Sequence, residues 1–153
     1  MRLAITAAAV LTCGDSSGAT STMATAGADD PIGSLLIELT GMHSDEGAAV
    51  YAVWSGPQGW LDNGSIRSGS VPVAGGVAAV TLTGLPHGEY AVSVFHDVNG
   101  NGKLDTGLFG LPKEPIGTSN NARVRFGPPR YDDAVIVLDR PDLTITIGIR
   151  KIF

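Results

Sequence analysis

Beyond Ser34 the chain runs in short segments of alternating apolar and polar residues, broken by Gly, Pro, Asn and Asp. That is the pattern of β-strands with one buried face. Six segments stand out. Leu35 to Leu39 sets Leu35, Ile37 and Leu39 against Glu38 and Thr40, and Gly41 closes it. Ala48 to Trp54 is apolar on both faces, which predicts a central strand. Val77 to Thr83 ends in the turn Gly84-Leu85-Pro86-His87-Gly88. The next run places Tyr90, Val92, Val94 and His96 on one face and Ala91, Ser93 and Phe95 on the other. Ala134 to Leu138 and Leu143 to Ile149 flank Asp139-Arg140-Pro141-Asp142, which predicts a hairpin. In the last run Leu143, Ile145, Ile147 and Ile149 alternate with Thr144, Thr146, Gly148 and Arg150. No stretch sustains an apolar period of 3.6.

Val71 to Val73 and Arg123 to Phe126 are minor strand candidates. With them the count reaches about seven, the usual number for a two-sheet sandwich. The predicted fold is all-β: an antiparallel immunoglobulin-like or prealbumin-like β-sandwich with one long loop, Asp97 to Asp132. Twenty-one glycines and nine prolines among Val, Ile, Thr and Ala agree with many strands and turns. Tyr90, at the start of its strand, suits either the tyrosine that fixes a corner in such sandwiches or a plain core position.

The first residues carry a different signal. Arg2 precedes the apolar run Leu3 to Leu11, too short to span a bilayer, and a Ser, Thr, Ala and Gly stretch follows from Gly14 to Gly27. Residues 1–31 therefore read as an export signal and tether, and 32–153 as the sandwich domain. Two processing readings stay open. Cys13, after Leu11-Thr12, loosely resembles the acylated cysteine of bacterial lipoproteins, whereas Ala24-Thr25-Ala26 is a cleavage pattern that would discard it. Either way the protein is expected in the periplasm or outside the cell. Cys13 is the single cysteine, so no disulfide joins the sandwich.

A net charge of -5 argues against nucleic acid or an anionic membrane surface as the principal partner. The local cluster Arg123, Arg125 and Arg130 reads as a solvated face.

The chemically pointed segment is Asp97-Val98-Asn99-Gly100-Asn101-Gly102-Lys103-Leu104-Asp105. Asp97, Asn99, Asn101 and Asp105 put side-chain oxygens at the first, third, fifth and ninth places, Gly102 allows the sharp bend, and Lys103 offers its carbonyl. A hard cation such as Ca2+ is the natural occupant. The acidic residue expected at the twelfth place of a helix-flanked calcium loop is replaced by Leu108, so this is not that motif. Formal charge comes from Asp97 and Asp105 alone unless Glu114 or Asp132 folds back. Asx turns without metal are the competing reading.

Other residues are weaker candidates. His96, beside Asp97, and Ser119 have the residue types of a hydrolase triad without its local signatures. His43 and His87 fall in turns. Phe109-Gly110-Leu111-Pro112 and Asn120-Asn121 offer either a partner-binding loop surface or, for Phe109 and Leu111, a pin holding the loop to the sandwich.

The stretch from His87 through Asp97, Asn99 to Asp105, Phe109 to Glu114 and Gly117 to Asn121 resembles the bacterial family known as domain of unknown function 2141, DUF2141. The resemblance reaches from about Ser34 to the chain end. It implies an exported single-domain β-sandwich and supplies no activity. Three functions are then expected: a non-enzymatic, calcium-stabilised monomeric module binding a protein or envelope component, an envelope hydrolase or glycan-processing domain using His96 and loop carboxylates, or a purely structural accessory domain.

Overall fold

The computed structural model describes residues 30–124 and 126–152. The bulk of the stretch read as an export signal, with Cys13 and the Ala24-Thr25-Ala26 pattern, lies outside the described residues, as does Arg125. Among the described residues, eight strands form two sheets. They are β1 (Ile32–Thr40), β2 (Ala48–Trp54), β3 (Arg67–Pro72), β4 (Ala78–Pro86), β5 (Gly88–Asp97), β6 (Ile116–Thr118), β7 (Ile136–Leu138) and β8 (Asp142–Gly148). One sheet has the order β4-β1-β8, the other β3-β2-β5-β6, with β7 also on β5. One short helix, α1 (Tyr131–Ala134), precedes β7.

The alternation read from the sequence places the core. Leu35, Ile37 and Leu39 of β1 are fully buried against Val92 and Val94 of β5, Val53 of β2 and Ile147 of β8, in one cluster filling the space between the sheets. A smaller cluster covers the outer face of β2 and β5. There Trp54, Trp60 and Tyr131 stack edge to face, with centroids 4.8 and 5.7 Å apart. This is why both faces of β2 and β5 are apolar.

Several finer expectations are corrected. The segments around Asp139-Arg140-Pro141-Asp142 do not pair as a hairpin. β7 joins β5 in one sheet, and β8 crosses to the other to pair with β1 in parallel, Leu35 opposite Leu143 and Ile37 opposite Ile145. The crossing is docked by the Ser34 N–H, which donates to the Pro141 carbonyl at 2.7 Å. The sandwich is thus not wholly antiparallel. β4 also continues through the predicted turn to Pro86, because a bulge accommodates one extra residue. Leu82 to Leu85 spans the same ladder as Leu35 to Gly33, and Gly84 takes φ +68 there. Tyr90 does fix that corner: its hydroxyl donates to the Pro86 carbonyl at 2.6 Å.

The long segment between β5 and β7 holds β6, two single 3-10 turns and α1. Val71 lies in β3, which begins earlier, at Arg67. Arg123 and Val124 form no strand, and β7 starts only at Ile136 because Ala134 closes α1.

β5 carries two short partners along one edge: β7 beside Gly88 to Tyr90, and β6 beside Ser93 to Phe95. Between them Ser119 stands in for a strand. Its hydroxyl oxygen accepts from the Val92 N–H at 2.9 Å and donates to the Ala134 carbonyl, so buried main-chain groups are satisfied across the gap.

Candidate functional site

β5 delivers His96 and Asp97 to the end of the sandwich, and both are buried. The loop between β1 and β2 closes over them. His96 Nε2 meets the Glu46 carbonyl at 2.8 Å, and Gly47 runs so close that a Cβ there would sit 1.8 Å from the Asp97 carbonyl oxygen. Gly47 also has φ +71, so a residue without a side chain is required twice over. The root of the Asp97 loop is therefore fixed by packed backbone.

From that root the chain folds on its own side chains. Asp97 Oδ1 accepts from the Asn101 N–H at 3.1 Å, and Oδ2 from the Gly102 N–H at 2.7 Å. Asn99 Oδ1 accepts from the Asn101 N–H at 3.1 Å, and Asn101 Oδ1 from the Lys103 N–H at 2.8 Å. These are successive Asx turns, each carbonyl oxygen bonded two residues ahead. Gly100 and Gly102 take φ +69 and +74 with open space around them, so conformation and not crowding selects glycine. The structure thus brings Asp97, Asn99, Asn101 and Asp105 into one bonded loop. Asp105 closes it: its carboxylate accepts from Asn99 Nδ2 at 2.6 Å and Asn101 Nδ2 at 3.0 Å.

Glu114 is the addition that spacing alone does not assign. It lies beyond a short excursion closed by the Thr106–Pro112 bridge, and folds back so that Oε1 accepts from the Val98 N–H and Oε2 from the Asp105 N–H, each at 3.2 Å. The only earlier signal was its acidity in a long loop. Asp132 does not join; it lies on α1, 3.4 Å from the exposed Arg130 guanidinium.

The oxygen donors suit a hard cation, and one observation favours such an ion. Asp97 is only 3% exposed, Glu114 only 7%, and among the described residues neither carboxylate has a cationic side chain in ion-pair contact. Buried carboxylates ordinarily need a paired charge or a metal, and main-chain N–H donors supply only part of that. Among the described residues no three His, Cys, Asp or Glu side chains gather closely enough to hold a metal by themselves. An ion here therefore depends on amide and main-chain oxygens as well, and on Asp105 exchanging its two amide donors for the ion.

The triad residue types are not brought together. The Ser119 hydroxyl is engaged by Val92 and Ala134 main chain, and the His96 ring by Glu46. His43 is exposed, but His87 is half-buried with Nε2 enclosed and without a hydrogen-bond partner among the described residues, so its turn does not solvate it fully. Asn120 and Asn121 both take left-handed backbone and are structural. Asn120 Nδ2 donates to the Val135 carbonyl, and Asn121 Oδ1 accepts from the Gly148 N–H at 2.8 Å. Phe109 and Leu111 do not pin the loop; they are 97% and 42% exposed. Arg123 lines a shallow groove of about 320 Å³ together with Arg150 and Lys151.

The family model described as an uncharacterized protein conserved in bacteria, DUF2141, matches residues 37–146, which take in most of both sheets and the whole Asp97 loop. No curated protein and no solved structure matches the chain.

Proposed function

We propose, from the premise that the chain belongs to the DUF2141 family, that it is a non-enzymatic exported β-sandwich module. In this reading its Asp97 loop takes one structural Ca2+, and it binds an envelope or extracellular partner. The observation that carries the metal is the buried Asp97 carboxylate, which heads a ladder of Asx turns and has no cationic side chain against it among the described residues. Asp97, Asn99, Asn101, Asp105 and the Lys103 carbonyl would hold the ion, with Glu114 bracing the loop from behind. Bound there, calcium supplies the positive charge that the buried carboxylates lack and ties Asp105 to the β5 end.

The role is stabilising. His96 and Ser119 are held by main chain on separate elements. The apolar run Leu3 to Leu11 supports export, with Cys13 as the point of lipid attachment if the chain is anchored. No helix among the described residues is long and apolar enough to cross a membrane.

Few formal charges imply weak binding, with a dissociation constant of roughly 0.1 to 1 mM. Titration calorimetry with calcium is expected to show one saturable site in this range, and none for Asp97→Asn. Magnesium should bind more weakly, since it demands a smaller octahedron and sheds water reluctantly. An unchanged isotherm in Asp97→Asn would assign any calcium binding to another part of the chain.

A further inference from the structure

Asn63-Gly64, Asn99-Gly100 and Asn101-Gly102 are exposed Asn-Gly pairs. Asparagine is chemically labile, and before glycine it can lose its side-chain amide without an enzyme. The glycine main-chain nitrogen attacks Asn Cγ, the Cγ–Nδ2 bond breaks, and ammonia leaves with the proton from that nitrogen. Water then opens the resulting succinimide to aspartate or isoaspartate, so water is consumed and ammonia released with no change of oxidation state. Glycine favours the step because no side chain shields its nitrogen.

The state of that nitrogen separates the three pairs. The Gly102 N–H is held by Asp97 Oδ2 at 2.7 Å, and the negative charge there opposes loss of its proton. The Gly64 N–H donates to the Gly59 carbonyl at 3.3 Å, in backbone packed so closely that a Gly64 Cβ would lie 2.3 Å from the Gln58 carbonyl oxygen. The Gly100 N–H has no acceptor among the described residues, and apart from its chain neighbours nothing lies within 4 Å of where a Gly100 Cβ would stand. Asn99 is also set up as the electrophile. Its Oδ1 accepts from the Asn101 N–H at 3.1 Å, which polarises the amide carbonyl. The hydrogen-bonded ring so closed contains both Asn99 Cγ and the Gly100 nitrogen, which keeps the reacting atoms together. Its Nδ2, the leaving group, donates to Asp105 Oδ2 at 2.6 Å.

The product changes what the loop needs. As an amide, Asn99 gives Asp105 a donor and satisfies it without metal. Aspartate puts a carboxylate oxygen where that donor stood, against Asp105 Oδ2, and like charges in contact repel. A divalent cation between them removes the repulsion, and more charged ligands mean tighter binding. Isoaspartate instead lengthens the main chain by a methylene and breaks the Asx turn.

We infer that Asn99-Gly100 is a self-modifying site: loss of the Asn99 amide turns a loop satisfied by its own amides into one that demands a divalent cation. The gain in cation binding rests on the calcium reading above; the chemistry at Asn99 does not.

The test stores the freshly purified full chain warm, at mildly alkaline pH with calcium chelated, and weighs its peptides at intervals. The amide-to-acid mass gain is expected to accumulate severalfold faster at Asn99 than at Asn63 or Asn101. In urea the three rates should converge, because the ranking comes from the fold. Gly100→Ala, whose methyl shields the nitrogen, should suppress the gain at Asn99. Calcium titration then compares the fresh chain with Asn99→Asp, which is expected to bind severalfold tighter. Conversion at Asn99 no faster than at Asn63 overturns the modification site. Calcium binding by the fresh chain that Asn99→Asp does not tighten overturns the switch. Absence of calcium binding in both chains overturns the calcium reading and the switch with it, while the mass ranking still decides whether Asn99 is modified.

Discussion

Ser119 shows how a reactive residue type is absorbed into a fold. Its hydroxyl bridges Val92 and Ala134 main chain where β5 lacks a neighbouring strand. Ser119→Ala leaves a buried N–H and a buried carbonyl without partners, so a loss of about 1–3 kcal/mol in urea unfolding is expected. Gly47→Ala acts at the root of the Asp97 loop. A Cβ 1.8 Å from the Asp97 carbonyl oxygen forces the two backbones apart, and roughly 1–3 kcal/mol of stability should go with the strained φ. Asp45 carries the clearest pH dependence. Main-chain N–H groups of Gly76 and then Gly75 hold its carboxyl below the ordinary value of 3.8, the Gly76 bond being 2.9 Å. A lowered folded-state value means that the stabilisation is fully present above 3.8 and fades as pH falls through the folded-state value. Asp45→Asn should accordingly lessen the drop in thermal midpoint below that pH, a small effect because the group is exposed.

At the scale of elements, β8 decides how the sandwich is assembled. Its parallel ladder with β1 makes it an edge of the smaller sheet, and Ile147 is fully buried in the common core. Ile147→Ala is expected to cost about 2–5 kcal/mol, and hydrogen exchange should protect β8 amides with those of β1, not with those of β7. Equal exchange of β7 and β8 as one unit would contradict the crossing. The sequence made β1, β4 and β8 legible because each alternates apolar and polar residues over five or more positions, and β2 and β5 because each is an apolar run of strand length. It hid β3 and β6. Arg67-Ser68-Gly69-Ser70 has no apolar face to read, and its Gly69 is small because the Tyr51 hydroxyl lies 2.7 Å, and its ring 3.0 Å, from where a Cβ would be. Gly117 of β6 likewise makes room for Ile147 at 2.7 Å. Such glycines look like turns in a sequence and mark close approach in a sheet. The false hairpin has a related cause. Asp139-Arg140-Pro141-Asp142 has turn chemistry, but turn chemistry does not state whether the chain returns to the same sheet.

At the scale of the whole molecule, two buried carboxylates, Asp97 and Glu114, sit at one end of the sandwich. The spacing from Asp97 to Asp105 was sufficient to predict one bonded loop, because Asx turns are local. Glu114 was not assignable from spacing, since its place behind the loop depends on the intervening excursion and on the closed Thr106–Pro112 bridge. The result is a sandwich end at which Glu46 and Gly47, the β5 terminus and the long loop converge on Asp97, leaving negative charge inside protein without a cationic side chain among the described residues. Calcium at this place would stabilise the folded chain by mass action, by about 1.4 kcal/mol when the free ion is tenfold above its dissociation constant. In a domain of about 120 residues that corresponds to a rise of roughly 5 °C in unfolding midpoint. The decisive measurement is that midpoint for the chain and for Asp97→Ala/Asp105→Ala, in millimolar calcium and then in chelator. A calcium site in the Asp97 loop requires that the parent rise with calcium and the double variant not. Equal midpoints for the parent in calcium and chelator would contradict it and identify the loop as a metal-free run of Asx turns.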